Sequence, residues 1–400
     1  MLQAWENGAG QASYLDRICP PEDTVARILP FFAEFGITRL ASQTGLDCLG
    51  IPCWAAFRPN ALTLANNQGK GLSDGAARAS AVMESVEFAI AERPRVPSIT
   101  ASATDLKGRG EAIFDVRRLL PMGSHVDAGQ VLHWLEGVKL GSGAPVWVPF
   151  DAAAMDPRVE IADICQSTNG IASGNTADEA LFHALCELIE RDATTLWSVR
   201  GPAVRLASSI DPLASGNSMV AALIAQIIAA GFTIRLFDQT TDIGVPTIMA
   251  VIGGNDPRGA RHFEITAGYG CHPIAARAAI RAITEAAQTR VTAIAGSRDD
   301  IDPQVFGADS ATSVRQLLDA APAADWPQGM PLGTAPATLL QSVLQALDDT
   351  LLEEPVAVWL ARPDSLVPVV KVLSAELEDR EANFNWRPGP RALVEIMRAA

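Results

Sequence analysis

The chain is poor in the residues from which many enzyme sites are assembled. Its 400 residues include five histidines, six cysteines and two tyrosines. None of the cysteines (Cys19, Cys48, Cys53, Cys165, Cys186 and Cys271) forms a CxxC, and no histidine stands at zinc-site spacing from them. Most lie in apolar contexts, as buried free thiols do. His125, His133, His183, His262 and His272 are scattered, so no Ser/His/Asp or Cys/His relay is legible and each reads as structural. A GxxxxGK[ST] phosphate loop is missing, as is a GxGxxG fingerprint after a strand, so a nucleotide would need another device. Basic residues are in deficit, 31 against 46 acidic, and the formal charge of −15 argues against nucleic acid or an anionic membrane as partner. The longest apolar run, Met219 to Phe232, is too short to cross a bilayer and contains Gln226. Met1 to Gly10 shows no basic n-region and no apolar h-region, which predicts a cytoplasmic protein without a secretory signal.

What is present is a repeated arrangement. Residues 166–193 read QSTNGIASGNTADEALFHALCELIERDA. A small-residue loop leads through a capping sequence into a helix with Ala180, Leu181, Ala184, Leu185, Leu188 and Ile189 at helical spacing. Glu187 and Glu190 lie three apart on one face, where like charges cost a helix about 0.2–0.5 kcal/mol. Alone, the pair could be a solvated edge with Arg191 as partner. The arrangement recurs, however, at Gln68-Gly69-Lys70-Gly71 followed by Glu84 and Glu87, and at Gly268-Tyr269-Gly270 followed by Glu285 and Gln288. Alignment on Glu84, Glu187 and Glu285 puts alanine three residues earlier (Ala81, Ala184, Ala282) and seven earlier (Ala77, Ala180, Ala278). The spacing predicts three copies of glycine loop and small-faced helix, the alanines allowing close helix packing. Two copies supply four carboxylates, a cage of oxygen ligands suited to Mg²⁺ bridging a nucleotide's phosphates. Lys70 and Arg191 are the local candidates for phosphate contacts; Asn175 and Glu179 could hold polar groups of the nucleotide or cap the helix.

The motifs QGKG…ASAVMESVE, STNGIASGNTADEALFHALCELIERD and AIRAITEAAQTR together resemble the YcaO family, from about Arg17 almost to the C-terminus. The resemblance implies that Glu84, Glu87, Glu187 and Glu190 hold magnesium ions bridging ATP phosphates. It places Asn175, Glu179 and Arg191 at nucleotide-contacting positions, and Thr24 and Arg17 at the family's N-terminal nucleotide-contacting helix, PPEDTVARI. Lys70, Ser80, Arg281 and Arg290 sit in matching motifs. Ala172 stands where relatives can carry a serine. The implied activity is ATP-dependent phosphorylation of a peptide backbone amide, with no protein nucleophile.

The fold class expected is α/β (α+β), built from repeated glycine-loop, helix and strand units around a Mg–ATP site. Residues 1–58 form a helix and strand lead-in and 59–400 a single intertwined domain, with a peripheral insertion at 100–150. Strands are predicted at ITRLASQTG, CWAAFRPN and LTLANNQ, a hairpin through Gly141-Ser142-Gly143, and a buried-type helix at MVAALIAQIIAAG; residues 298–331 look like a surface excursion. The C-terminus, NFNWRPGPRALVEIMRAA, departs from the proline-rich tail of many azoline-forming relatives and ends in a helical pattern. No peptide-binding or E1-like module is legible. Both features resemble the subgroup that works with a TfuA-type partner and makes thioamides. The expectation is backbone thioamidation of a ribosomally made peptide or protein with external sulfide, by a homodimer. The alternatives are an azoline-forming cyclodehydratase and a non-catalytic ATP-binding accessory protein of a sulfur-transfer complex.

Overall fold

Three times the chain runs out along an edge strand, turns, and returns as a long helix. The computed structural model describes residues 17–159, 164, 166–254, 264–298, 301, 312–330, 336–381 and 385–399. Cys165, His262, most of the irregular start at 1–19 and much of the excursion after Arg298 lie outside them.

Helix α1 (Pro21–Ile28) opens with Pro21 at its first position and Glu22 and Asp23 in its first turn, each favourable at a helix N-terminus. It stops ahead of Pro30, which cannot donate the next helical hydrogen bond, and Gly36 (φ 73) turns the chain outward. Strands β1 (Arg39–Ser42), β2 (Cys53–Phe57) and β3 (Asn66–Lys70) form an antiparallel sheet in the order β1-β2-β3, and helix α2 (Asp74–Ala91) follows. The strand expected from Leu62 begins only at Asn66, because Thr63 is turned aside onto the Glu92 carboxylate through its N–H (3.1 Å) and hydroxyl (2.6 Å).

Strands β4 (Ser98–Ser102), β5 (Val131–Lys139), β6 (Pro145–Pro149), β7 (Ile171–Ser173), β12 (Val356–Ala361) and β13 (Val369–Leu373) form a second sheet, ordered β4-β5-β12-β13-β7 with β6 beside β5. The β5–β6 hairpin is the one predicted, and β5 joins the sheet through Val138 and Lys139 against Ala357 and Val356. Helix α3 (Ala177–Val199) follows β7. Helix α4 (Ser218–Ala229) precedes the third sheet, β11-β10-β9-β8, made of β8 (Ser209–Ile210), β9 (Phe232–Asp238), β10 (Thr247–Gly254) and β11 (Ile265–Cys271). Helix α5 (Ala275–Ala295) follows β11; α6 (Thr312–Leu318), α7 (Pro336–Thr350) and the terminal α8 (Pro390–Ala399) complete the chain. All strand pairing within the sheets is antiparallel, which puts the chain on the α+β side of the expected class. The uncharged helix α4 buries Val220, Leu223, Ile224 and Ile227 but leaves Ile228 58% exposed, so it is buried on one face and not all round.

The three repeats are real, with two corrections. Gly69, Gly268 and Gly270 lie inside β3 and β11, not in loops. And in the first and third units the aligned alanines pack against their own strand's backbone, where helix-on-helix packing was expected. A Cβ on Gly69 would sit 2.1 Å from Ala81 N and 2.2 Å from Ala77 O; one on Gly270 would sit 2.1 Å from Ala278 O; one on Gly174 would sit 2.6 Å from Ala180 N. Glycine facing alanine lets each helix backbone rest almost on its strand, closer than any larger pair allows.

Strands β3, β7 and β11 are each the edge of their sheet, and each helix leans on the edge strand of the next unit: α2 on β7, α3 on β11, α5 on β3. The second position of each acidic pair makes the clasp. Glu87 accepts from the Ser173 hydroxyl (2.6 Å), Glu190 accepts from Cys271 N–H (2.9 Å), and Gln288 donates to the Gln68 carbonyl (2.9 Å). Three units thus close into a ring.

Candidate functional site

The ring surrounds a cavity of about 2090 Å³. Its lining includes Arg17, Thr24, Lys70, Ser80, Glu84, Glu87, Asn175, Glu187, Glu190, Arg191 and Arg281. These come from α1 and its lead-in, from β3 and α2, from α3 and from α5, so residues far apart in sequence converge because the three helices start in the same register. Asp74, Ala177 and Ala275 open α2, α3 and α5 at the same distance ahead of Glu84, Glu187 and Glu285.

Two predicted residues are placed otherwise. Glu179 is fully buried and does not line the cavity. It accepts from Ile18 N–H (2.6 Å) and Asn175 N–H (2.7 Å), with Arg17 Nη1 4.0 Å away, so it ties the lead-in to the start of α3, which Thr176 caps. Arg290 points out of the cavity. It makes a forked pair with Asp47 (3.0 and 3.2 Å) and covers the Phe232 ring at 4.3 Å.

The carboxylates set the electrostatics. Glu84, Glu87 and Glu187 are half-buried at the cavity wall and Glu190 is buried. Loss of water around them pushes Glu84 and Glu87 up to about 7 and Glu187 up to about 8, and raises Glu190. The other carboxylates add to each rise, while Lys70 opposes it at Glu84 and Arg191 at Glu187. Glu285 differs. Burial raises it, but Lys70 and Arg191 outweigh that and hold it below its ordinary value. Glu285 is ion-paired with Lys70, and Arg191 with Glu381. Burial, with Arg17 and Arg281 next, keeps His183 neutral beside the cavity.

Four carboxylates that resist ionisation, with the nearest cations already engaged, are short of positive charge. Among the described residues no group of three or more His, Cys, Asp or Glu side chains forms a preformed metal cage. The acidic pairs still fit Mg²⁺, which keeps several waters and takes one or two carboxylates plus phosphate oxygens. Glu84 with Glu87, and Glu187 with Glu190, are the residues that would hold it.

Sequence reasoning missed three cavity residues. Glu285 stood aligned with Glu84 and Glu187, so the repeat carried its signal. Ser173 fixes the Glu87 carboxylate. His183 lies one turn before Glu187, with no sequence signal to set it apart. The remaining cysteines are free, with Cys53, Cys186 and Cys271 buried, Cys19 half-buried and Cys48 exposed.

Residues 68–378 match the model of the family described as YcaO cyclodehydratase, ATP- and Mg²⁺-binding. An uncharacterized protein encoded in the tfuA 3′ region of Rhizobium leguminosarum bv. trifolii is 41% identical over 318 residues, covering 78% of this chain and 76% of the relative. An uncharacterized protein of Mycobacterium tuberculosis (strain H37Rv) is 35% identical over 380 residues, covering 90% and 82%. The structure of YcaO from Methanopyrus kandleri bound with AMPPCP and Mg²⁺ superposes with a TM-score of 0.74 at 21% identity, covering 93% of this chain and 95% of that one. A heterocyclase in complex with substrate and cofactor gives a TM-score of 0.73 at 20% identity over 91% of this chain, which spans about half (53%) of its length. No helix of the described residues is long and apolar enough to cross a membrane. The chain belongs to the YcaO family, whose members bind ATP and Mg²⁺.

Proposed function

We propose that this chain uses ATP and external sulfide to convert a backbone amide of a ribosomally made peptide or protein into a thioamide, the amide oxygen being phosphorylated on the way. Supporting it is one cavity that gathers two acidic pairs with Lys70, Arg191 and Arg281. Such a site suits positioning and charge neutralisation, the main demands of phosphoryl transfer. Bound magnesium would supply charge neutralisation on the phosphate oxygens. Glu84, Glu87, Glu187 and Glu190 would hold and orient it, Arg191 and Arg281 would face the phosphoryl group, and Asn175 with Arg17 would orient the nucleotide. Sulfide adds to the carbonyl carbon, the amide oxygen attacks the γ-phosphorus with loss of ADP, and phosphate departs with that oxygen as the C=S bond forms.

The thioamide product and a TfuA-type partner are favoured by the tfuA-region location of the Rhizobium relative. Azoline formation from a Cys, Ser or Thr side chain is the second reading, supported by the family's description and the likeness to a heterocyclase. A homodimer in the cytoplasm remains part of the proposal. The test is mass analysis of a peptide incubated with the protein, a TfuA-type partner, ATP, Mg²⁺ and sulfide. Exchange of oxygen for sulfur supports thioamidation, loss of water supports the azoline, and ATP binding without turnover would leave an accessory protein.

A further inference from the structure

Asn175 lines the cavity with its side-chain oxygen already engaged. Its Oδ1 accepts from Arg27 Nη2 at 2.7 Å and from the Thr24 hydroxyl at 3.1 Å, both on α1. A guanidinium has no acceptor, so the atom facing it is the carbonyl oxygen, and the orientation of the amide follows from chemistry. The Asn175 backbone N–H is fixed in turn by buried Glu179 (2.7 Å). Asn175 lines the cavity and Arg27 does not. Among the described residues no carboxylate pairs with Arg27, and the Asn175 oxygen is its side-chain hydrogen-bond partner. A cation spent on an amide oxygen orients that amide and polarises its N–H groups as donors.

We propose that Arg27, with Thr24, is a positioning residue of the nucleotide site: it locks Asn175 so that Nδ2 donates to an acceptor atom of ATP, a ring nitrogen or a phosphate oxygen. This rests on the cavity's being the nucleotide site. Thr24, whose hydroxyl is engaged by Asn175, acts through Asn175 and not on the nucleotide.

The test is calorimetric titration of the full chain with ATP and MgCl₂, alongside the unfolding temperature of each variant. Loss of one charge-assisted hydrogen bond predicts that Arg27→Met weakens ATP binding about tenfold or more, with Arg27→Lys restoring part of it. In an Asn175→Ala background Arg27→Met adds nothing further. Asn175→Asp keeps the size, pairs with Arg27 and keeps the fold, yet supplies no donor and binds as weakly as Asn175→Ala; it carries the test if Arg27→Met does not fold. Additive effects of Arg27→Met and Asn175→Ala, or wild-type affinity in Asn175→Asp, would overturn the proposal. Absence of ATP binding by the wild-type chain is a different result: it overturns the nucleotide site itself, and this role with it.

Discussion

Within each acidic pair the two positions do different work. All six positions line the cavity, and Glu87, Glu190 and Gln288 also clasp the next unit's strand. A glutamine at 190 keeps an acceptor for Cys271 N–H, so Glu187→Gln with Glu190→Gln should fold and lose Mg²⁺-dependent ATP binding. Unchanged affinity in a folded double variant, measured by calorimetry, would remove these two from the metal site. The pH dependence follows from the sign of the shifts. The folded values, about 7 at Glu84 and Glu87 and about 8 at Glu187, lie above the ordinary carboxylate value. Protons therefore stabilise the ligand-free fold, and that stability is lost as pH rises through 7 to 8. Metal binding must displace those protons. The rise in unfolding temperature on adding Mg²⁺ and ATP should therefore be larger at pH 8 than at pH 6, and the double variant should flatten the difference. A thermal-shift series across that range reads both.

The strand–helix unit succeeds or fails on the glycine–alanine contact. Gly69→Ala and Gly270→Ala place a methyl against helix backbone that cannot retreat without tearing its unit from the sheet. Each should cost about 1–3 kcal/mol or more by urea denaturation. Gly45→Ala, with nothing within 4 Å, should stay within about 0.5 kcal/mol of wild type. Loss of stability equal to this control would show that the strand and helix are not so tightly apposed. The contact also shows where the sequence was readable. The alanines and the acidic pairs repeat at fixed spacing within a helix, so the units could be counted, and eleven of the thirteen site residues named from the sequence fall at the cavity. That the glycines belong to strands could not be read, because glycine marks a flexible loop and a close backbone approach alike. The clasps were illegible for another reason: Ser173 and Glu87 are 86 residues apart, and no local pattern pairs them. Arg290 failed the same way, since its partner Asp47 lies 243 residues away and its own helix looks the same whichever way the side chain turns.

Across the whole molecule, the end of the chain braces the ring from behind. Asp192, two residues past Glu190 on α3, is fully buried and accepts from Arg391 of α8 at 2.9 Å, while Arg391 also reaches Asp242 at 2.6 Å between β9 and β10. Glu378 accepts from Gly389 N–H (3.0 Å) and Ala392 N–H (3.2 Å), fixing where α8 starts. Burial pushes Asp192 up to about 6 even with Arg391 beside it and the Glu378 N–H donating to it (3.0 Å), and Arg391 is its ion-pair partner. Arg391→Met should strand the carboxylate and cost about 3–5 kcal/mol. Asp192→Asn in the same chain should recover much of that loss, because the amide needs no counter-charge. Equilibrium urea unfolding of the two variants decides it. A small effect of Arg391→Met would mean that α8 is merely laid against α3; a large effect relieved by Asp192→Asn would mean that the last helix holds in place the helix that carries Glu187 and Glu190.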